Sequence, residues 1–275
     1  MGRCLRLALA ALALAAATAA QEIRVRQLEP RRASAPADSL EWFTISADLI
    51  EAWLDVDAAK ALALATEAWQ RAQQAAVPGA VQAMAAMAEF ATTRLEGPTA
   101  AKEWRDRTAG LPTECAPVLA AWFHVARARS LCAAGEHVDE LDHALPGQAA
   151  AERAGDPLLQ LRAFKVTLHA GPSRDLPSLR RRFEQALAGP HGESVETFEP
   201  WILLDEYLQN LRAGSSEVAH ELLDRAEAAA QRDGNRRALG TVHHCRGRLY
   251  FRQDPERALT FYERASDLLR ECGDR

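Results

Sequence analysis

The chain has 275 residues, with 33 basic and 38 acidic side chains, and nearly half of its residues are apolar. Its formal charge of -5 excludes nonspecific nucleic-acid binding, which needs a net basic footprint. Beyond residue 20 no stretch is apolar enough to span a bilayer, and the five cysteines show neither C-x-x-C nor zinc-finger spacing.

Arg3 and Arg6 precede a run made only of Leu and Ala from Leu7 to Ala17, and Ala17-Thr18-Ala19 or Thr18-Ala19-Ala20 supplies small residues for cleavage. This pattern predicts a secretory signal peptide over residues 1–20. The run is shorter than the roughly 20 apolar residues a membrane helix needs. Cys4 lies before the run and is misplaced for lipid modification at a cleavage site, so the expected product is exported and periplasmic, in a Gram-negative bacterium. Without residues 1–20 the chain holds 31 basic and 38 acidic side chains, a charge of about -7.

Residues 21–37 lack helical periodicity and include Pro30 and Pro36, which predicts a flexible leader. Asp38 is expected to cap the first helix, with Glu41 completing a capping box. Paired helices then follow. The first of each pair is predicted near 39–54, 79–95, 114–134, 157–170, 199–213 and 236–252, and the second near 57–76, 99–109, 137–154, 176–188, 216–233 and 255–272. Pro78-Gly79, Gly97-Pro98, Gly135, Gly155-Asp156-Pro157, Gly171-Pro172, Gly189-Pro190, Gly214 and Gly234 punctuate the turns. No window alternates with the period of a strand, so the expected class is all-α. Pro146-Gly147 falls inside a predicted helix and is expected to kink or split it.

Ala68, Thr108, Gly147, Ala186, Ala226 and Ala265 recur at spacings of 40, 39, 39, 40 and 39. Such regularity marks a helical repeat array whose units bury their apolar faces against their neighbours. In the last unit Gly247 and Tyr250 stand on the first helix, while Ala258, Tyr262 and Ala265 share one face of the second. Asp254-Pro255 supplies a cap and a first turn. This combination resembles the tetratricopeptide repeat over residues 241–269. It extends to 202–230 through Ala219, Leu223 and Ala226, with Leu208 and Leu211 in place of the glycine and tyrosine, and to the first pair through Ala61, Ala65 and Ala68. Units of about 39 residues, against about 34 in the usual repeat, are similar to the long-repeat variants of bacterial regulators and sensors. The resemblance implies a right-handed α-solenoid of about six antiparallel helix pairs over residues 38–275.

Little in the sequence points to catalysis. His243, His244 and Cys245 project about 100° apart around a helix and cannot all ligate one ion, so no metal is expected. Phosphate loops, H-E-x-x-H and G-x-S-x-G are absent. Asp205-Glu206 and Asp139-Glu140 are adjacent pairs that face different directions. Neither an enzyme nor a cofactor is expected for this segment. Cys115 and Cys132 sit near opposite ends of one predicted helix, about 25 Å apart, and free thiols are the expected state of the cysteines after residue 20.

The resemblance further implies that the first helices line a concave groove. Phased on Gly247, the groove positions are Ile202, Asp205, Gln209 and Arg212, then Thr241, His244, Arg248 and Arg252, with Arg162, Lys165 and His169 on the fourth unit. Earlier units place Met84, Met87 and Ala91, then Phe123, Ala126 and Ser130. The expected partner is a peptide or protein, engaged through an acidic group or a C-terminal carboxylate by the cationic half. Met84 and Met87 fit core packing as well, and Arg162 and Lys165 fit a solvated face as well.

Glu271-Cys272-Gly273-Asp274-Arg275 repeats the punctuation at Arg153–Asp156 and Arg232–Asn235, so the array is expected to continue beyond Arg275. Signal peptide followed by long repeats resembles the extracytoplasmic input region of bacterial sensor proteins with diguanylate cyclase or histidine kinase outputs. The expected function is therefore a sensory binding module. The alternative is a free-standing secreted scaffold or assembly factor for envelope proteins or polysaccharide export.

Overall fold

The structure is a computed structural model that describes residues 25–107, 110–171, 175–190 and 192–273. The signal peptide, Thr108, Pro172 and Asp274-Arg275 lie outside the described residues. Within them the chain is all helical, without a strand. No described helix is long and apolar enough to cross a membrane.

Helix α1 covers 25–34. It is followed by α2 (Leu40–Leu54) and α3 (Ala58–Ala72), α4 (Ala80–Leu95) and α5 (Pro98–Asp106), then α6 (Pro117–Ala134) and α7 (His137–Ala154). Next come α8 (Pro157–Ala170) and α9 (Leu176–Leu187), a single turn α10 (Gly192–Glu196), α11 (Glu199–Arg212) and α12 (Ser216–Arg232), and finally α13 (Arg236–Tyr250) and α14 (Pro255–Glu271). Caps fix many of the starts. The carboxylates or amides of Asp57, Asp156, Asp175, Asn235 and Asp254 accept from first-turn amides, and Pro98, Pro117, Pro157 and Pro255 occupy first turns where no N–H is needed.

Three local expectations are corrected. Residues 25–34 are helical rather than a flexible leader, because Val25 and Leu28, three apart, bury against Ile45, Leu49 and Ala52 of α2. Ser39, not Asp38, caps α2 by accepting from Trp42 N at 3.1 Å, while Asp38 takes φ 64° and pairs with Arg71 at 2.7 Å. Helix α7 runs unbroken through Pro146. The glycine beside it serves packing, since a Cβ on Gly147 would lie 3.0 Å from the Cβ of His124 on α6.

Small residues govern how closely the helices approach. Ala61, Ala65, Ala68 and Ala72 on α3 meet Ala80, Ala83, Met84 and Met87 on α4 in a core that extends through α6 to α8. In the last unit a Cβ on Gly247 would come within 2.6 Å of the Tyr262 ring, so the glycine makes room for that tyrosine. Smaller clusters join α8 to α11 and α11 to α13.

The end of the last unit meets the first. Ala58 N–H donates to the Cys272 carbonyl at 3.1 Å, Gly273 packs against Ala58 and Leu95, and Arg237 on α13 lies 3.6 Å from Asp55 beyond α2. Arg129 and Arg162, from α6 and α8, also reach Glu51 on α2. The helices therefore curl around a common centre.

Candidate functional site

That centre is a cavity of about 570 Å³, the size of a small-molecule or short-peptide site. Alternate helices supply its wall. Glu51 and Ala52 come from α2, Phe90, Thr93 and Arg94 from α4, Arg129, Cys132 and Ala133 from α6, and Arg162, Lys165, Val166 and His169 from α8. Trp201, Leu204, Asp205 and Leu208 follow from α11, and Arg237, Thr241 and Cys245 from α13. Residues three and four apart on each helix share the inward face, which is why each contributes a short stripe.

The wall carries both signs of charge, arranged in pairs. Arg129 donates to both Glu51 oxygens at 2.7 and 2.8 Å, and Arg162 Nε lies 3.6 Å from Glu51. Lys165 and His169 converge on Asp205, the lysine in a short contact and His169 Nε2 at 3.1 Å. Burial alone would raise the Asp205 carboxyl, but Lys165 and His169 outweigh it and hold the pKa down at about 2. Trp201 is flanked by Lys165 and Arg237, 5.8 and 5.3 Å from its ring. Arg162 is buried and its Nη1 has no hydrogen-bond partner, its ion-pair contact with Asp48 spanning 4.0 Å.

Of the residues singled out from the sequence, Arg162, Lys165, His169, Asp205 and Thr241 line the cavity. Gln209, Arg212, His244, Arg248 and Arg252 are exposed and lie outside its wall, His244 packing instead beside Tyr262. The inward residues on α13 are Arg237, Thr241 and Cys245, one position round the helix from His244. Met84 and Met87 are fully buried among alanines of the core, and Ala91, Phe123, Ala126 and Ser130 are buried as well. The division into an apolar half and a cationic half does not hold, since Arg94 and Arg129 enter from the early units and carboxylates accompany the cations throughout.

The four described cysteines are free thiols. Cys132 and Cys245 both face the cavity, and burial pushes each thiol up to about 11, for Cys132 with the Glu140 carboxylate adding to it. One grouping was missed from the sequence. Cys132 at the end of α6 and His137 and Glu140 in the first turn of α7 bring a thiol, an imidazole and a carboxylate together, with donor atoms all within 4.8 Å of one another. The signal was a C-x4-H-x2-E spacing across the turn at Gly135-Glu136, which only a tight helical hairpin converts into convergence.

The chain matches no family model, no curated protein and no solved structure.

Proposed function

We propose that this chain is a non-catalytic binding module of right-handed, antiparallel tetratricopeptide-like helix pairs. Its central cavity receives the carboxylate-bearing end of a peptide or protein segment. One observation carries this reading: the buried Arg162 guanidinium on the cavity wall keeps an N–H without an acceptor. A buried donor left unmade costs about 1–3 kcal/mol, and a ligand carboxylate would recover it. Phe90, Val166, Trp201 and Leu204 offer apolar area for the side chains that accompany such a terminus. Because Arg129, Lys165 and Arg237 on the wall are each paired with a carboxylate, affinity rests on geometry at Arg162 rather than on a bulk positive field.

The charged and then apolar residues 3–17 support export to the periplasm, and the long repeats support an input region of a signalling protein. Sequencing the N terminus of the protein recovered from a periplasmic fraction tests the first point. Binding is tested by screening short peptides with free or amidated C termini against the purified chain by isothermal titration calorimetry. Amidation and Arg162→Gln should each weaken the best binder by about 10-fold or more, the worth of one charge-assisted hydrogen bond. Affinity indifferent to both changes would overturn the carboxylate assignment.

A further inference from the structure

Buried carboxylates in this fold are matched with cations. Glu51 meets Arg129 and Arg162, Glu89 meets Arg105 and Arg127, Asp205 meets Lys165 and Asp233 meets Arg232. Glu140 departs from this rule. It is 1% exposed, yet among the described residues no arginine or lysine lies within ion-pair distance of it. Its side-chain neighbours are the Cys132 thiol, within 4.8 Å, and His137 Nδ1 at 3.2 Å. A buried charge is ordinarily paired with an opposite charge or coordinates a metal, and here the neighbours are themselves metal-binding groups.

We propose that Cys132, His137 and Glu140 form a three-ligand site for a Zn2+-class ion on the wall of the central cavity, with the fourth position open to the cavity. The donor set fits, because thiolate, imidazole and carboxylate are the three ligand types zinc accepts from protein. The geometry is close to what the ion requires. Zinc bonds of about 2.0–2.3 Å at tetrahedral angles put neighbouring donors about 3.4–3.6 Å apart. His137 and Glu140 already stand 3.2 Å apart, and no donor pair exceeds 4.8 Å, so closure needs about 1 Å of side-chain movement.

On binding, the Cys132 S–H bond breaks, its proton leaves to solvent, and the sulfur lone pair forms the bond to zinc. Glu140 then gains the positive partner the fold otherwise withholds. Arg129, the cation nearest in influence to Cys132, is engaged by Glu51 and does not occupy the site. Cys132 and Glu140 both line the cavity, so the vacant coordination position is reached from inside it. Three protein ligands and one open position are the arrangement through which zinc accepts water or a ligand donor.

The test uses the full chain, stripped with a chelator and titrated with Co2+ as a spectroscopic stand-in, followed by Zn2+. The expected result is a single equivalent of Co2+ bound with a thiolate-to-cobalt charge-transfer band, displaced by Zn2+. Cys132→Ser should abolish the band, whereas Cys245→Ser, which removes the other cavity thiol, should leave it. The His137 side chain is 68% exposed, so His137→Ala should keep the helical circular dichroism while weakening Zn2+ at least about 10-fold. Absence of a charge-transfer band, its persistence in Cys132→Ser, or unchanged Zn2+ affinity in folded His137→Ala would each overturn the assignment.

Discussion

His243 shows what a single buried titratable group does to this fold. It is 1% exposed, its ring stacks 6.0 Å from Phe261, and neither ring nitrogen has a hydrogen-bond partner. Burial lowers its pKa to about 4, with Arg264 and Arg246 adding to the effect. The unfolded side chain titrates near 6.5, so between about pH 6.5 and 4 the unfolded chain holds a proton that the folded one refuses. Stability must therefore fall as pH drops through that window. His124 and His143, whose Nδ1 atoms are 3.0 Å apart, are depressed to about 4 as well and act in the same direction. His243→Phe replaces an unsatisfied ring by an apolar one of similar shape. Its melting temperature at pH 7.5 should be equal or higher, by up to about 2 kcal/mol of stability, and the decline from pH 6.5 to 5 should be shallower than in the parent. A marked loss of stability at pH 7.5 would mean that a polar contact holds the histidine. At this scale the sequence was partly legible. Arg162, Lys165 and His169 stack at spacings of three and four, which forces them onto one face. Met84 and Met87 have the same spacing but no polar group to decide between core and groove, and the tight alanine packing of α3 on α4 took them into the core.

Elements were the most legible level, because caps, prolines and glycines act locally. Predicted and observed helix ends agree to within a few residues along the chain, and the exceptions have local causes. Helix α1 was missed because its buried stripe is only Val25 and Leu28, too short to show a period. Helix α7 was expected to break, yet Pro146 is accommodated within it on an exposed face. The proline still removes one backbone donor and crowds the carbonyl four residues earlier, at a usual cost of about 3 kcal/mol in a helix interior. Tertiary contacts of α7 with α6 and α8 offset that cost here. Pro146→Ala should therefore raise stability by about 1–3 kcal/mol, read as a higher urea midpoint at unchanged slope. An unchanged midpoint would show that the backbone around residue 146 had already relaxed away from helical hydrogen bonding. The positions facing the cavity on α13 were displaced for a related reason. Gly247, which sets the sequence phase, does not mark the inward face: its missing side chain makes room for Tyr262 of α14.

The curvature of the whole molecule was not legible, since it accumulates from a small rotation at every helix contact and no short window encodes the sum. It is nevertheless what creates the cavity and what brings Glu51 of α2 to both Arg129 of α6 and Arg162 of α8. Two kinds of contact hold the curled form, and they should differ in weight. Glu51 is 5% exposed, so Glu51→Gln leaves Arg162, itself buried, beside a neutral partner. Breaking a buried pair from one side costs about 3–5 kcal/mol because the remaining charge stays desolvated. The Arg237–Asp55 contact spans 3.6 Å between partly exposed side chains, and Asp55→Asn should cost about 1 kcal/mol or less. Urea unfolding of the two variants distinguishes a molecule held across its centre from one held at its ends. If Asp55→Asn proved as costly as Glu51→Gln, closure would rest on the contact between the last and first units. If Glu51→Gln alone were severe, the buried charges around the cavity would be the structural tie, and a ligand carboxylate at Arg162 would have to bind beside Glu51 without displacing it.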